Sequence, residues 1–253
     1  MRPQRWSHGV RLLAVAGLLA GAAGLASAAR FSVNLTRVHL GKSHPVETVA
    51  LGNEEAQPLN FEVQVKRWTQ GADGAWALAP SDGLVVHPLI VTVPVGGKAR
   101  VRVGTLAPMT DVEQAYRVEL QQLPDPNATA DAMQVRMLTR ISLPVFVEPP
   151  GAESRLALAP SSASDDRLGL VLRNEGQAYA PPGEASVRVF DDQGRVLHQA
   201  KLTISYVLAG AQLPIATAWP AGACARAAQV ELATAEGAVL RTAIPAGLRR
   251  CAP

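Results

Sequence analysis

The sequence has little of what metal sites and most enzymes require. It contains only two cysteines, five histidines and 4% aromatic residues. Cys224 and Cys251 have no histidine near them, so a metal site is not indicated. The HExxH motif, the nucleophile elbow, the phosphate-binding glycine loop and the dinucleotide fingerprint are all missing. We therefore predict no catalytic residues, no metal and no cofactor, and we expect that the protein is not an enzyme.

The net charge gives no sign of a nucleic-acid or membrane partner. The chain has 24 Lys+Arg and 21 Asp+Glu, which gives +3. Three of the arginines and none of the acids lie in residues 1–28, so the remainder has 21 minus 21, or no net charge. A neutral chain has no general attraction for polyanions or anionic lipids. Any basic site must therefore be local.

Residues 1–28 have the pattern of a secretory signal peptide. A basic start is followed by an apolar run from Leu12 to Leu25 and then by Ala26-Ser27-Ala28, small residues at the positions that a signal peptidase reads. The alternative is a membrane anchor, but the run is short for a membrane span. We expect export to an oxidising compartment, where Cys224 and Cys251 are able to form one disulfide.

The remainder of the chain predicts β-strands almost throughout. Leu59, Phe61, Val63 and Val65 alternate with polar residues, which is the period of a half-buried strand. No window has a sustained helical period, and turn signals recur at close spacing. Such a pattern predicts an all-β fold built of antiparallel sandwiches.

A Pro-Pro-Gly sequence at 149–151 divides the strands into two groups. It ends a strand and has the composition of a linker between two domains. We therefore predict a first domain over 29–148 and a second, smaller β-sandwich over 152–253. Asp191-Asp192-Gln193-Gly194 and Ala235-Glu236-Gly237 are predicted hairpin turns of the second domain.

The first strand changes phase in its middle. Phe31, Val33 and Leu35 share one parity, whereas Val38 and Leu40 have the other. Such a change predicts either a bulge or a strand that crosses from one sheet to the other. Arg37 lies at the change.

The longest strand-like run extends from Met133 to Val147. It follows a polar, proline-rich stretch that we interpret as a long loop. Met133, Val135, Met137 and Thr139 fall on one face. An exposed edge of this kind invites pairing with another chain, and a secreted protein that keeps one has a surface for strand addition. The alternative is a central strand that is paired on both sides and buried.

Several short motifs together resemble a known family. They are Leu35-Thr36-Arg37-Val38, Val65-Lys66-Arg67-Trp68-Thr69-Gln70, Glu113-Gln114-Ala115-Tyr116-Arg117-Val118 and Arg140-Ile141-Ser142-Leu143-Pro144-Val145-Phe146-Val147-Glu148-Pro149. In order and spacing they resemble the first domain of PapD-like periplasmic chaperones of the chaperone–usher pathway. The ending Ser-Leu-Pro-Val-Phe-Val is similar to the branch that serves archaic, spore-coat-U-like pili.

The resemblance implies two immunoglobulin-like domains arranged as a boomerang, and a function in the periplasm. Chaperones of this family bind pilus or fimbrial subunits, which lack their last strand, by inserting one of their own strands into the gap, and deliver them to an outer-membrane usher. By position, the inserted side chains here are those of Met133, Val135 and Met137, with Thr139 continuing the row. Neither ATP nor membrane insertion is implied.

The family also anchors the C-terminal carboxylate of the subunit with two basic residues in the cleft. Arg37 matches the first of them. The second is a lysine in the family pattern, but Ser142 takes its place here, and Arg140 or Arg102 are the candidates to replace it. The inter-domain salt bridge of the family is altered too, because Glu113 matches its acid while Glu148 stands where an arginine is expected.

Two other functions remain open from the sequence. The first is a secreted structural or adhesive β-sandwich, such as a pilus component. The second is a secreted hydrolase, for which the sequence indicates no substrate. Self-capping of the free chaperone by dimerisation through its edge is also left open.

Overall fold

The computed structural model describes residues 31–106, 110–124, 137–163, 166–220 and 222–249. Ten strands precede the linker: β1 (Phe31–Val33), β2 (Val38–Gly41), β3 (Val46–Asn53), β4 (Leu59–Gln70), β5 (Trp76–Pro80), β6 (Val85–His87), β7 (Ile90–Val93), β8 (Lys98–Gly104), β9 (Gln114–Gln122) and β10 (Arg140–Glu148). The elements after it are β11 (Leu156–Ala163), β12 (Arg167–Asn174), β13 (Gly183–Phe190), β14 (Val196–Ile204), β15 (Gln212–Ala218), helix α1 (Ala223–Arg226), β16 (Gln229–Thr234), β17 (Val239–Ala243) and a 3₁₀ turn at Ala246–Leu248.

The first ten strands form two packed sheets. Sheet I has the order β1-β3-β8-β6, and sheet II has the order β2-β10-β9-β4-β5, with β7 also paired to β4. Their inward side chains alternate along each strand and build one core, in which Phe61, Leu120 and Val145 are fully buried. This arrangement confirms the antiparallel sandwich predicted from the alternation.

The phase change in the first strand marks a crossing between the two sheets. β1 pairs antiparallel with β3 in sheet I, whereas β2 pairs parallel with β10 in sheet II. The chain between them turns at Asn34–Arg37, so the parity of the buried residues must change there. The second of the two expectations, a strand that crosses between sheets, is confirmed.

The second domain is also a sandwich. Sheet III has the order β11-β12-β15 and sheet IV the order β14-β13-β16-β17, with a core that includes Leu170, Val187 and Leu232. The predicted turns at 191–194 and 235–237 join β13 to β14 and β16 to β17. Gly194 and Gly237 adopt positive φ angles of 77° and 91°, which glycine accepts without steric cost.

The predicted strand from Met133 to Val147 is shorter in the structure. β10 begins at Arg140, residues 137–139 are not in a strand, and residues 133–136 lie outside the described residues. β9 ends at Gln122, and at this position the Gln122 N–H donates to Thr139 O (2.9 Å) while the Thr139 N–H donates to the side-chain Oε1 of Gln122 (3.0 Å). Beyond Thr139, β9 therefore offers no further ladder partner.

A cluster of aromatic side chains lies where the two domains meet. Trp68 and Phe146 of sheet II are buried against Tyr179, Tyr206 and Leu208 of the second domain. The Phe146 and Tyr179 rings stack with a centroid distance of 3.8 Å, and Trp68 meets Tyr206 edge-on at 5.1 Å. Such contacts stabilise an interface beyond the area that they bury.

Gln70 links the same two domains through its side-chain amide. Its Nε2 donates to Tyr206 O and its Oε1 accepts from the Leu208 N–H, both at 3.0 Å. The junction therefore combines apolar burial with directional hydrogen bonds, and it fixes the outer face of sheet II against the second domain.

Candidate functional site

Strand β10 is paired on both sides along only half of its length. Its residues 140–147 pair with β9 and its residues 145–148 pair with β2, so only 145–147 are paired on both sides. Within the described part of the chain, no strand lies on the other side of residues 140–144. This half of β10 is an open sheet edge, and we call residues 140–144 the open half and 145–148 the closed half.

The hydrogen-bonding pattern determines which main-chain groups face the open edge. The Gln122 N–H donates to Thr139 O at 2.9 Å, so these two residues form a hydrogen-bonded pair of the antiparallel ladder. Because such pairs alternate along an antiparallel ladder, Ile141 and Leu143 also bond to β9, whereas the N–H and C=O groups of Arg140 and Ser142 point away from it. Those groups face the open edge, where Ser142 O also accepts from the Arg117 side chain (3.3 Å).

The residues predicted to be inserted into a subunit lie at the start of this edge or outside the described residues. Met133 and Val135 lie outside the described residues. Met137 is 87% exposed, and Thr139 is held by Gln122, whose Oε1 accepts from the Thr139 N–H at 3.0 Å. The predicted residues have odd numbers, as do Ile141, Leu143 and Val145, whose side chains pack in or against the core. The role of Met133, Val135, Met137 and Thr139 stays a prediction.

Arg37 lies at the junction between the domains. It precedes β2, and its Nη1 donates to the Tyr179 hydroxyl of the second domain at 3.1 Å. This hydrogen bond is the main reason why the pKa of Arg37 is raised, so the side chain is a fixed positive charge. Since the ring of Tyr179 stacks on Phe146, Arg37 belongs to the outer face of sheet II.

Arg140 is not beside Arg37. In the parallel register β2 begins with Val38 opposite Val145, which places the main chain of Arg37 opposite Pro144. Arg140 is four residues further along, or about 13 Å at the rise of a strand. Its Nη2 pairs with Glu119 Oε2 at 3.0 Å, and Lys66 Nζ pairs with the same oxygen at 2.8 Å. The structure therefore does not bring the two proposed anchors together.

Arg102, the other candidate to replace the family lysine, lies on the opposite side of the domain. It is an exposed residue of β8 in sheet I, where it pairs with Thr48 of β3 and His87 of β6. The outer faces of two packed sheets point in opposite directions. Arg102 is therefore unsuited to a cleft bordered by sheet II.

Arg117 is a basic residue that the sequence did not single out. It is only 8% exposed, it lies opposite Pro144 on β9, and its Nη1 donates to Ser142 O at 3.3 Å. Its guanidinium lies over the rings of Trp68 (4.1 Å) and Trp76 (4.8 Å). In sequence it looks like an ordinary polar position of a half-buried strand, so no local signal identifies it.

The charge on Arg117 has no carboxylate bonded to it among the described residues. Burial lowers the pKa of Arg117, while Tyr206 and Glu119 act in the opposite direction. A buried guanidinium without a bonded counterion is costly, and such groups are concentrated at functional sites. Arg117 thus brings positive charge to the place where Ser142 replaces the family lysine.

Glu113 and Glu148 do not form an inter-domain salt bridge. Glu148 Oε1 lies 2.5 Å from His39 Nδ1, a contact within the first domain. Glu113 Oε1 accepts from the Tyr179 N–H at 3.1 Å. Burial raises the pKa of Glu113 to about 8. The expectation that the family salt bridge is altered agrees with this geometry.

Cys224 lies buried in helix α1 and is not a free thiol. Cys251 lies outside the described residues, so the predicted disulfide between them stays a prediction. Over the described ranges there is no group of three or more His, Cys, Asp or Glu residues placed to hold a metal ion. Among the same residues, no helix is long and apolar enough to cross a membrane.

Comparisons with known proteins agree with this architecture. A family model described as "Pili and flagellar-assembly chaperone, PapD N-terminal domain" matches residues 30–153. A chain of the CsuC–CsuE chaperone–tip adhesin complex from archaic Csu pili of Acinetobacter baumannii superposes with a TM-score of 0.61 at 16% identity, over 84% of this chain and 98% of that one. No curated protein matches by sequence.

Two further solved structures have the same fold. The class 5 fimbriae chaperone CfaA gives a TM-score of 0.59 at 14% identity, over 85% of this chain and 100% of that one. The Salmonella enterica complex of the SafA pilin with the SafB chaperone gives 0.54 at 16% identity, over 86% and 97%. The family model describes a chaperone and does not favour the alternative of a structural pilus component. Residues 30–153 therefore belong to the family of pili and flagellar-assembly chaperones as its PapD N-terminal domain, and the chain as a whole has the fold of solved pilus chaperones.

Proposed function

We propose that this protein stabilises pilus subunits in the periplasm by lending them the segment that leads into β10. The observation that carries the proposal is the half-paired strand: residues 140–144 bond to β9 on one side and present the main-chain groups of Arg140 and Ser142 on the other. A subunit strand that adds to this edge gains main-chain hydrogen bonds along its length. The proposal assigns the chain no catalytic reaction.

The side chains that enter the subunit are those of the predicted row Met133, Val135, Met137 and Thr139. Each apolar side chain that becomes buried contributes about 1.5–3 kcal/mol before the cost of ordering the segment. Methionine suits a site that accepts several subunits, because its flexible thioether adapts to differently shaped pockets. The high exposure of Met137 in the free chain supports this role.

The outer face of sheet II carries the charge needed to hold a carboxylate. Arg37, Lys66, Arg117 and Arg140 are four cations on or beside this face, and among the described residues Glu119 is the one carboxylate bonded to any of them. We propose that the C-terminal carboxylate of a subunit is held here, with Arg37 as the first anchor. Arg117, rather than Arg140, supplies the second positive charge, because Arg140 is already paired with Glu119.

The partners follow from the same proposal. They are pilus or fimbrial subunits and an outer-membrane usher, with no nucleic acid and no membrane insertion. The CsuC–CsuE and SafA–SafB structures are complexes of a chaperone with a subunit, which supports this class of partner. We also propose that the chain belongs to the archaic branch, which the resemblance of its Ser-Leu-Pro-Val-Phe-Val sequence to that branch supports.

The experiment replaces an inserted side chain by a charged one. Met133→Asp and Val135→Asp are each co-expressed with a pilus subunit that the wild-type protein retains, and the tagged protein is recovered from the periplasm. We expect both variants to fold and to recover less than about a tenth of the wild-type amount of subunit, because a carboxylate does not enter an apolar pocket. Val95→Asp, at an exposed valine away from the edge, is the matched control. Normal recovery with the two edge variants would show that this segment is not inserted.

A further inference from the structure

A single buried carboxyl group joins the two domains. Glu113, just before β9, is 7% exposed. Its main-chain N–H donates to Gln177 O at 2.9 Å, and its Oε1 accepts from the Tyr179 N–H at 3.1 Å. Both partners belong to the second domain. Glu113 therefore contributes two hydrogen bonds across the junction, one from its main chain and one from its side chain.

The surroundings of Glu113 favour the protonated form of its carboxyl group. Its second oxygen, Oε2, is buried and has no hydrogen-bond partner among the described residues. Burial raises the pKa of Glu113 to about 8, although the bond from Tyr179 opposes the rise and the like charge of Glu148 adds to it. An ionised carboxylate in this place would be buried without a counterion.

The charged groups that the described residues bring near Glu113 are bonded to other partners. On β10, Glu148 is held by His39 of β2. On β4, Arg67 donates to Gln114 Oε1 at 3.0 Å. From the second domain the Tyr179 hydroxyl faces this region and accepts from Arg37. None of the cations in these described contacts is bonded to Glu113.

We infer that Glu113 is a positioning residue that holds the two domains together while its carboxyl group is protonated, and that its ionisation loosens the junction. Because Tyr179 also orders Arg37 and stacks on Phe146, loosening would disturb the outer face of sheet II. This consequence for subunit binding rests on the proposed function. The loosening itself does not, since it concerns the free protein.

The direction of the pH dependence follows from linkage. The closed junction keeps the proton up to about pH 8, whereas an open, hydrated Glu113 would lose it near the ordinary value of 4.5. Between these values the closed form binds more protons than the open one, so raising the pH favours opening. The opening constant rises by at most about tenfold per pH unit in that range and levels off above pH 8.

The test measures hydrogen exchange of the Tyr179 amide in the free protein by NMR. Glu113→Gln retains the side-chain acceptor but does not titrate, and it is compared with the wild type at each pH so that intrinsic exchange rates cancel. From pH 5.5 to 7.5 we expect the protection of Tyr179 in the wild type to fall by about 50- to 100-fold relative to Glu113→Gln. Glu184→Gln, at an exposed glutamate of β13, should behave like the wild type.

Two outcomes would overturn the inference. One is a constant ratio of protection between wild type and Glu113→Gln across this pH range. The other outcome needs no variant. It is that, as the pH rises, the protection factor of the Tyr179 amide in the wild type falls no more than that of the core residue Val187. Since no subunit is present, either outcome leaves the proposed strand donation untouched.

Discussion

The two halves of β10 have different surroundings although they belong to one continuous strand. In the closed half, Val145 pairs with Val38 on one side and with Tyr116 on the other, and its side chain is fully buried. In the open half, Ser142 pairs with Glu119 of β9 and with no second strand in the described part of the chain, and Ser142 is exposed. One half has the environment of a central strand, and the other has that of an edge.

The difference shows how a stable domain keeps an edge available for binding. Exposed edges invite uncontrolled pairing, so proteins usually charge, shorten or cover them. Here β2 covers the edge only as far as Val145. The closed half fixes the position of the strand, and under the proposed function the open half is the edge to which a subunit strand adds. The following changes test this division, from the largest expected effect to the smallest.

The largest effect is expected in the closed half. Val145→Asp places a carboxylate in a site with no exposure, between two paired strands. We expect it to lower the free energy of unfolding by about 4 kcal/mol or more, which is enough to unfold many domains. Urea denaturation followed by circular dichroism measures the change. Ser142→Asp, in the open half, is the control and should change stability by less than about 1 kcal/mol; a similar loss in both would refute the division.

An intermediate effect is expected from the buried arginine beside the open half. Arg117→Met retains much of the side-chain volume and removes the charge next to Ser142. We expect the affinity for a subunit to fall about tenfold, as for the loss of a charge-assisted contact. Stability should change little, because the cost of burying the charge offsets its ring contacts. Titration calorimetry with a refolded subunit measures the affinity.

The matched control for this prediction is Arg67→Met. Arg67 pairs with Tyr116, which in turn pairs with Val145 of the closed half. Its side chain donates a hydrogen bond to Gln114. It should leave subunit affinity within about twofold. Equal losses for the two variants would mean that Arg117 has no special part in the cleft.

The smallest effect is expected from removing one main-chain donor of the open edge. Ser142→Pro deletes an N–H that points away from β9, so we expect subunit affinity to fall about fivefold, the value of one hydrogen bond, while the domain keeps its stability. Ile141→Pro deletes an N–H that bonds to β9 and should instead destabilise the domain by about 3 kcal/mol. If Ser142→Pro destabilises the domain and Ile141→Pro lowers only the affinity, then the N–H of Ser142, and not that of Ile141, bonds to β9.

Much of the fold could be predicted from the sequence, because burial imposes a visible period. The alternation in β4 and the phase change between Val33 and Val38 depend only on which residues face the core, and the structure shows both. The length of β10 could not be predicted in this way. Alternation continues from Met133 to Val147, but the strand ends where its partner β9 leaves it, which depends on the tertiary structure.

The candidate site was predictable only in part. The change of phase singled out Arg37, and the structure places it at the domain junction. Arg117 and Glu113 were not recognisable as buried, since in sequence each is a polar residue of a half-buried strand or its flank. Their burial comes from the second domain and from Trp68 and Trp76, residues far away in the chain.

The most direct test of the account is hydrogen exchange of the β10 amides with and without a bound subunit. In the free chaperone, the Arg140 and Ser142 amides should exchange fast while those of Ile141 and Leu143 are protected by β9. Addition of a subunit should slow Arg140 and Ser142 by at least about 100-fold, because a new strand accepts their hydrogen bonds. If Arg140 and Ser142 are already protected in the free protein, or remain fast in the complex, the edge is not where the subunit strand adds.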